Sequence, residues 1–174
     1  MILGVGLGTR LKPFTDHHPK ALAMVNGKSL LQRNIEYLQQ YGIKEVIVNV
    51  HHFAEQVIDF LAKNNNFGIN ISISDERNLL LNTGGGLKKA VSFFEKNENF
   101  LVANVDILHN INLDLMRKTH IDNHNLATLA VSKRQTSRYL LFDEEQKLGG
   151  WCNKKTGEIR LALSGANESS ELNY

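Results

Sequence analysis

The chain has 174 residues, of which 42% are hydrophobic and 22% charged, and its formal net charge is +2 at pH 7. This composition is typical of one soluble globular domain, and so small a charge predicts no nucleic-acid partner and no membrane surface. The single Cys152 excludes an intramolecular disulfide and a thiolate zinc cluster. Without a signal-peptide pattern or an apolar run of about 20 residues, the sequence predicts a cytoplasmic protein.

The first predicted element is a short strand over residues 1–5, and it leads into a glycine-rich loop with the sequence GVGLGTRLKPFTDHHPK, residues 4–20. Gly6 and Gly8 permit the positive φ angles that turn successive backbone N–H groups toward one point, and they keep side chains away from a polyanion. The loop also supplies a hydroxyl at Thr9 and three cations, Arg10, Lys12 and Lys20. Hydroxyl, guanidinium and ammonium groups are donors to phosphate oxygens, so the loop predicts a phosphate site.

Repeated β-α units follow the loop. Ser29 and Gln32 form a capping box, which predicts a helix start, and Gly42 is typical of a helix end. The β-branched run IKEVIVNV, residues 43–50, predicts a buried strand. The same reasoning predicts a helix before Gly68, a strand over 69–75, a helix after Gly86, a strand over 100–105, a helix over 112–125 and a strand over 127–132.

The last part of the sequence is rich in short strands. Three strand-like runs, separated by polar turns, cover residues 139–142, 148–151 and 158–163. Repeated β-α units before such a tail predict an α/β fold with a Rossmann-like, doubly wound, mainly parallel sheet and a small β-hairpin appendage. The expected organisation is a single domain over residues 1–174.

A second glycine-rich stretch, LNTGGG, lies between the predicted strand over 69–75 and the helix after it. Glycines that open a helix let a flat ring lie against the backbone, so Thr83, Gly84 and Gly85 are candidates to face a nucleoside. A plain glycine-rich helix entry is the alternative. Its position one β-α unit after the phosphate loop favours the nucleoside site, because open α/β sheets bind ligands at the carboxyl ends of their strands.

The segment Ala103-Asn104-Val105-Asp106 ends the predicted strand over 100–105. A carboxylate that emerges from an apolar strand needs a cation, and Mg²⁺ takes one or two carboxylates and completes its coordination with phosphate oxygens and water. Asp106 is therefore the predicted Mg²⁺ ligand. The alternative for this residue is an aspartate that caps a nearby turn.

The string G-x-G-T-R-L-x-P-x-T-x-x-x-P-K, residues 6–20, resembles the signature of the sugar-1-phosphate nucleotidyltransferases. The T-G-G-G run and the N-V-D segment resemble two further motifs of that family, with Asn82 in place of a glutamate and Val105 in place of a glycine. The nearest resemblance is to compact enzymes for N-acetylmuramate 1-phosphate, mannose 1-phosphate and related sugar phosphates. Leu163-Ser164-Gly165 resembles a sugar-pocket segment, and because the likeness ends there, we expect a domain that is incomplete at its C-terminus.

The resemblance implies the nucleotide-diphospho-sugar transferase fold and a reaction of a nucleoside triphosphate with a sugar 1-phosphate, giving an NDP-sugar and pyrophosphate. It implies catalytic roles for Arg10, Lys20 and Asp106, with Mg²⁺ on Asp106. The implied nucleotide-binding residues are Gly6, Leu7, Gly8, Thr9, Thr83, Gly84 and Gly85. The implied sugar-binding residues are Asn104 and Gly165.

Two other functions stay open at this point. One is a non-catalytic domain that binds a nucleotide or sugar phosphate, which the departures at Asn82 and Val105 motivate. The other is a cytidylyltransferase that acts on phosphocholine. The expected partners are a nucleoside triphosphate and a sugar 1-phosphate, with neither nucleic acid nor a membrane. The sequence leaves the base, the sugar and the oligomeric state open, a homo-oligomer included.

Overall fold

The structure, a computed structural model, describes residues 1–4, 6, 8–96 and 98–161. Leu7 and Gly165, two of the predicted site residues, lie outside the described residues. Contacts along the chain divide it into two compact units, Met1–Ile121 and Asp122–Tyr174. The single domain expected from the sequence stays a prediction. Of the helices that the described residues form, none has the length and apolar character needed to cross a membrane.

The first unit contains short and regular elements that alternate between strand and helix. In chain order they are β1 (Ile2–Leu3), β2 (Met24–Val25), β3 (Lys28–Ser29), α1 (Leu30–Gln40), β4 (Glu45–Val50), α2 (Ala54–Lys63), β5 (Asn70–Asp75), α3 (Asn82–Lys89), β6 (Ala103–Asn104) and α4 (Leu113–Asp122). Strands β2 and β3 form a small antiparallel ribbon before α1. The other four strands form one parallel sheet with the order β5-β4-β1-β6.

The order of the parallel strands creates a switch point beside β1. Ile2 pairs with Val48 of β4 on one side and with Ala103 of β6 on the other. The chain therefore runs outward from β1 through β4 to β5, and then returns to the opposite side of β1 to form β6. In open α/β sheets, ligands bind outside the carboxyl ends of the strands at such a point.

Helices cover both faces of this sheet, as the doubly wound prediction requires. The larger core, beneath α1 and α2, contains Ile2, Leu31, Ile35, Val48, Val57 and Leu61. The smaller core, on the other face, contains Met1, Leu3, Ile47 and Ala90, with Leu87 of α3 packed against it. Successive side chains of a strand point to opposite faces, which is why Ile2 and Leu3 enter different cores. The predicted α/β fold is confirmed.

Helix α1 begins where the capping pattern predicts. The Ser29 hydroxyl accepts a hydrogen bond from the Gln32 backbone N–H at 3.1 Å. The Gln32 side chain donates to Glu36 at 2.8 Å, so only the first half of the capping box forms. Gly42 follows the helix with φ +73°, the left-handed conformation that commonly ends helices.

Three predicted elements differ clearly from the structure. The helix expected after Gly86 begins at Asn82, so the three glycines lie inside α3. The strand expected over residues 100–105 pairs only at Ala103–Asn104, and Phe100 instead stacks on Phe94 with ring centroids 4.2 Å apart. Within the part of the chain that the structure describes, residues 127–132 form no strand. Their apolar residues match the sequence pattern of a strand, but a strand also needs a neighbouring strand to pair with its backbone N–H and C=O groups.

The described part of the second unit contains a small antiparallel sheet. Its strands are β7 (Arg138–Phe142), β8 (Leu148–Asn153) and β9 (Glu158–Leu161), in the order β7-β8-β9. Leu141 and Cys152 are buried, and the Arg160 guanidinium lies 5.8 Å from the centre of the Trp151 ring. Gly150 has no room for a side chain, because a Cβ would lie 2.6 Å from the Arg160 carbonyl oxygen. The predicted hairpin appendage is confirmed as three strands.

Candidate active site

The glycine loop after β1 folds around the carbonyl group of Gly8. The Leu11 N–H donates to this oxygen at 2.8 Å, and the Thr15 hydroxyl donates to it at 2.9 Å. Gly6 and Gly8 have φ angles of +119° and +60°, as the sequence predicts. A Cβ on Gly8 would also lie 2.8 Å from Cγ2 of Thr15 and 3.2 Å from Cβ of Lys20. Glycine at position 8 is therefore required both by conformation and by space.

Asn49 of β4 holds the start of this loop. Its backbone oxygen accepts a hydrogen bond from the Gly4 N–H at 3.2 Å, and a Cβ on Gly4 would lie only 2.6 Å from the same oxygen. The close approach leaves no space for a side chain at position 4. The glycine loop thus leaves the sheet at a point set by β4 as well as by β1.

Lys20 and Asp106 meet at the switch point, although they lie 86 residues apart in the sequence. The Lys20 ammonium is 3.2 Å from Oδ2 of Asp106. The exposed fraction is 12% for the Lys20 side chain and 30% for the Asp106 side chain. A Cβ on Gly6 would lie 3.7 Å from the same ammonium group, so the glycine loop passes directly beside it. Two of the three predicted catalytic residues are therefore in contact.

Thr9 and Arg10 lie in a short 3₁₀ turn of the loop, and both are exposed. The next cation, Lys12, is different because its ammonium forms an ion pair with Asp16 at 2.9 Å. The turn thus presents a hydroxyl and a guanidinium to solvent, while Lys12 is engaged within the loop. Arg10 is an exposed cation of the loop that an anionic ligand can reach.

Asp106 is placed by hydrogen bonds on both sides of the preceding residue, Val105. The Val105 N–H donates to the Leu3 carbonyl of β1 at 3.1 Å. The Val105 carbonyl accepts from Nδ2 of Asn34 at 3.0 Å. Asn34 is a buried amide of α1 that sequence reasoning missed. Its signal was a polar residue on the apolar face of the helix, three residues after Leu31. Such a residue needs a partner when it is buried.

Asn104, the predicted sugar contact, is exposed on β6 and pairs with Leu3 of β1. It therefore lies on the strand that also ends at Asp106, at the carboxyl edge of the sheet. The Asn104 side chain takes no part in the contacts described above for the glycine loop, Lys20 and Asp106. Its role in sugar binding stays a prediction.

The second glycine-rich stretch forms the first turns of α3. Thr83 and Gly84 are exposed, and a Cβ added to Gly84 would meet none of the described atoms within 4 Å. Helix α3 packs beneath this edge through Leu87, in the core that contains Leu3 of β1. Since β1 and β5 are both parallel strands of one sheet, the glycine loop and the start of α3 follow the same edge. The turn is accessible from solvent at this edge.

Glu76, which sequence reasoning also missed, lies immediately after β5 and is completely buried. Its Oε1 accepts from Nδ2 of Asn49 at 2.7 Å, and its Oε2 accepts from the Leu81 N–H at 3.0 Å. The neighbouring Asp75 instead pairs with Arg77 at 2.7 Å on the surface, and this hydrogen bond lowers the pKa of Asp75. The sequence pattern Asp-Glu-Arg gave no sign that only the middle residue is buried.

The chain is similar in sequence to known nucleotidyltransferases. The sequence model of a family described as nucleotidyl transferase matches residues 1–145. Over 108 residues the chain is 42% identical to N-acetylmuramate alpha-1-phosphate uridylyltransferase of Caulobacter vibrioides. The aligned region covers 61% of this chain and 44% of that protein. It is 32% identical to UTP--glucose-1-phosphate uridylyltransferase of Synechocystis, over 93% of this chain and 45% of that protein. The chain spans about half the length of these curated relatives.

Among solved structures, HddC from Yersinia pseudotuberculosis, complexed with GMP-PN, superposes with a TM-score of 0.70. The sequence identity is 25%, and the match covers 91% of this chain and 69% of that chain. The similarity therefore extends over nearly the whole chain. The fold expected from the sequence is confirmed by this comparison.

Proposed function

Because the chain belongs to the nucleotidyl transferase family, whose sequence model matches residues 1–145, we propose that it transfers a nucleotidyl group to a sugar 1-phosphate. A phosphate oxygen of the sugar 1-phosphate attacks the α-phosphorus of a nucleoside triphosphate. The new oxygen–phosphorus bond forms as the bond to the leaving pyrophosphate breaks. The products are an NDP-sugar and pyrophosphate.

The contact between Lys20 and Asp106 carries this proposal. It joins the loop after β1 to the end of β6 at 3.2 Å, where a doubly wound sheet binds its ligands. Phosphoryl transfer depends mainly on positioning and on neutralising charge, and neither needs a covalent intermediate. In the proposed roles, Lys20 bridges the α-phosphate and the incoming sugar phosphate, and Arg10 stabilises the departing pyrophosphate.

The backbone of the glycine loop supplies the rest of the phosphate site. Gly6 and Gly8 have the conformations that let consecutive N–H groups converge on an anion, and Thr9 adds an exposed hydroxyl. Leu7, between the two glycines, is proposed to contribute its N–H as well. The nucleoside would lie against Thr83, Gly84 and Gly85, where Gly84 has open space beside it. Asn104 and Gly165 are the proposed contacts of the sugar.

Asp106 fits Mg²⁺ through the chemistry of its side chain. A partly exposed carboxylate at an open sheet edge can provide one ligand, and Mg²⁺ commonly completes its coordination with phosphate oxygens and water. In the part of the chain that the structure describes, no group of three His, Cys, Asp or Glu residues could hold a metal ion alone. Phosphate oxygens of the substrate would supply other ligands. When bound, Mg²⁺ neutralises charge on the reacting phosphates.

The names of the relatives support sugar 1-phosphates as the acceptor class. One relative is named for N-acetylmuramate 1-phosphate and another for glucose 1-phosphate, and both are named as uridylyltransferases. The HddC structure holds GMP-PN, so relatives differ in the base. The proposal for this chain is accordingly limited to the class of reaction, with UTP and GTP as the first triphosphates to test.

The test is pyrophosphate release by the purified chain with Mg²⁺, across UTP, GTP, CTP, dTTP and ATP and a panel of sugar 1-phosphates. We expect turnover that falls about 100-fold or more in Lys20→Ala and in Asp106→Asn, the size typical of a lost group that stabilises transition-state charge. Lys28→Ala is the matched control. Lys28 also forms an ion pair, with Glu36 at 2.6 Å, but it belongs to the β2–β3 ribbon and not to the parallel sheet or the glycine loop. Its turnover should stay within twofold of the unchanged chain.

Two outcomes would replace the proposal. Binding of a triphosphate without pyrophosphate release, at any sugar phosphate tested, would favour the non-catalytic binding domain. Release with CTP and phosphocholine alone would favour a cytidylyltransferase with a different acceptor. Equal losses in Lys20→Ala and Lys28→Ala would contradict the assigned site even if the chain is active.

A further inference from the structure

The buried carboxylate of Glu76 connects three elements of the first unit. It follows β5, it accepts a hydrogen bond at 2.7 Å from Asn49 of β4, and it accepts another at 3.0 Å from the N–H of Leu81, the residue before α3. Its side chain is completely buried. Burial of a carboxyl group is unfavourable unless its polar atoms have hydrogen-bond partners, and here both oxygens have a donor.

The same carboxylate limits the size of the residue that faces it from α3. A Cβ on Gly86 would lie 2.5 Å from Oε1 of Glu76 and 3.6 Å from Nδ2 of Asn49. Gly86 has no positive φ angle, so space, not backbone conformation, requires a glycine there. Glu76 therefore holds α3 at two points, by a hydrogen bond at Leu81 and by direct packing at Gly86.

Between these two points lies the exposed turn that contains Thr83 and Gly84. The first N–H groups of a helix have no partner inside the helix and need an acceptor from elsewhere. Glu76 accepts the hydrogen bond of the Leu81 N–H on the buried side of the turn, while Thr83 and Gly84 are exposed to solvent. The other carboxylate oxygen, Oε1, accepts a hydrogen bond from the Asn49 side chain. The backbone oxygen of Asn49 in turn accepts from the Gly4 N–H at the start of the glycine loop. One buried pair thus links both glycine-rich segments.

We propose that Glu76 is a positioning residue for the nucleoside side of the site, acting through Leu81 and Gly86 on the turn that contains Thr83–Gly85. It does not touch the ligand. The identity of the ligand rests on the proposed function, whereas the tether itself rests only on the contacts of Glu76. The prediction is that weakening the tether loosens this turn and weakens nucleotide binding, with little effect on binding of the sugar phosphate.

Glu76→Gln is the variant that tests the tether. The new amide has the same shape but only one oxygen, so the Asn49 amide and the Leu81 N–H compete for one acceptor, whereas Glu76→Ala removes the acceptor of both. Adding Asn49→Asp restores the pairing, because the new carboxylate at position 49 can accept from the new amide at position 76 while the remaining oxygen accepts from Leu81. Asp75→Asn is the matched control, since it removes the adjacent carboxylate, which pairs with Arg77 on the surface.

Two measurements separate positioning from general stability. The first is amide hydrogen exchange of Leu81 without ligand, which we expect to be at least about tenfold faster in Glu76→Gln, unchanged in Asp75→Asn, and slowed again in the double variant. The second is the dissociation constant of the Mg²⁺-triphosphate and of the sugar 1-phosphate, each measured alone. We expect the first constant to rise about tenfold in Glu76→Gln and the second to change less than twofold.

The results also separate this inference from the proposed function. Glu76→Ala removes both carboxylate oxygens, so unchanged exchange at Leu81 in that variant would overturn the tether whether or not the chain is an enzyme. Faster exchange with equal losses for both ligands would overturn the specific role in nucleoside positioning. Faster exchange at Leu81, in a chain whose unchanged form binds no triphosphate, would keep the tether and reject the proposed function. Failure of the double variant to slow the exchange would contradict the assigned hydrogen bonds.

Discussion

The two glycine-rich segments of the site use glycine for different reasons. In the loop after β1, Gly6 and Gly8 have φ angles of +119° and +60°, which side chains disfavour. In α3, Gly86 has an ordinary helical conformation, and its lack of a side chain matters because Glu76 occupies the space beside it. The residue with a positive φ at the start of α3 is Asn82, at +58°, a residue type that tolerates this conformation.

The segments also differ in what holds them. In the first, the turn at Gly8 is held by groups of the same loop, since the Gly8 carbonyl accepts from Leu11 and Thr15. The second is held by Glu76, a side chain that lies outside the glycine run and is itself bound to Asn49 of another strand. A segment held by its own residues has a recognisable local sequence. A segment held by distant residues has its determinants elsewhere in the chain.

The largest expected effect comes from Gly8→Ala, because this position combines both reasons for glycine. An alanine with positive φ costs about 1–2 kcal/mol, and forcing its Cβ to within 2.8 Å of Thr15 adds about 1–3 kcal/mol of overpacking. The free energy of unfolding in urea should therefore fall by about 2–5 kcal/mol.

Gly27→Ala is the matched control for this substitution. Gly27 has φ +76°, but a Cβ there would meet no described atom within 4 Å. Its loss should be limited to the conformational part, about 1–2 kcal/mol. Gly84→Ala should have the opposite sign and stabilise α3 by up to about 1 kcal/mol, since alanine is the better helix former. Equal losses for Gly8→Ala and Gly27→Ala would contradict the spatial requirement at position 8.

A middle-sized effect is expected from Asn34→Ala, which tests whether Asp106 is also held from a distance. The substitution leaves the buried Val105 carbonyl without the Asn34 donor, and this should lower the free energy of unfolding by about 1–3 kcal/mol. Because Val105 directly precedes Asp106, we also expect the Mg²⁺ concentration for half-maximal activity to rise several-fold. Both quantities can be measured on the same preparation.

Gln39→Ala provides the comparison within the same helix. Gln39 donates from its side chain to the Phe67 carbonyl at 2.7 Å, so it also connects α1 to a distant backbone oxygen. We expect a loss of stability from this variant with no change in the Mg²⁺ requirement. A shift of that requirement in Gln39→Ala as large as in Asn34→Ala would mean that the effect follows stability and not the position of Asp106.

The difference between segments held by their own residues and segments held by distant residues explains how much of the molecule the sequence could predict. The α/β fold, the start of α1 at Ser29 and the positive φ angles of Gly6 and Gly8 follow from local patterns, and all are confirmed. Contact between Lys20 and Asp106 could be expected only through the order of the strands, because both residues follow strands that meet at one edge. Site roles that the resemblance implies, including those of Leu7 and Gly165, stay predictions.

The missed features depend on contacts between distant segments. Asn34 and Glu76 are polar residues in segments that look like an ordinary amphipathic helix and an ordinary strand end. Their partners Val105 and Asn49 lie 71 and 27 residues away, respectively. The short sequence distance from Glu76 to Leu81 did not help, because the pattern does not say which of three consecutive charged residues turns inward. The strand predicted over residues 127–132 failed for a related reason, since its pattern could not specify a pairing partner.

The smallest expected effect comes from Asp75→Asn, which contrasts two adjacent carboxylates. The hydrogen bond from Arg77 lowers the pKa of Asp75, so the folded chain binds its proton less readily than the unfolded chain. The resulting stabilisation is complete above the unfolded pKa of about 3.9 and is lost as the pH falls through the lower folded pKa. Because this pair is partly exposed, Asp75→Asn should lower the free energy of unfolding near pH 7 by less than about 1 kcal/mol. Carboxyl NMR titration of Asp75 measures the shift directly, and a midpoint at or above the ordinary value would remove the contrast with Glu76.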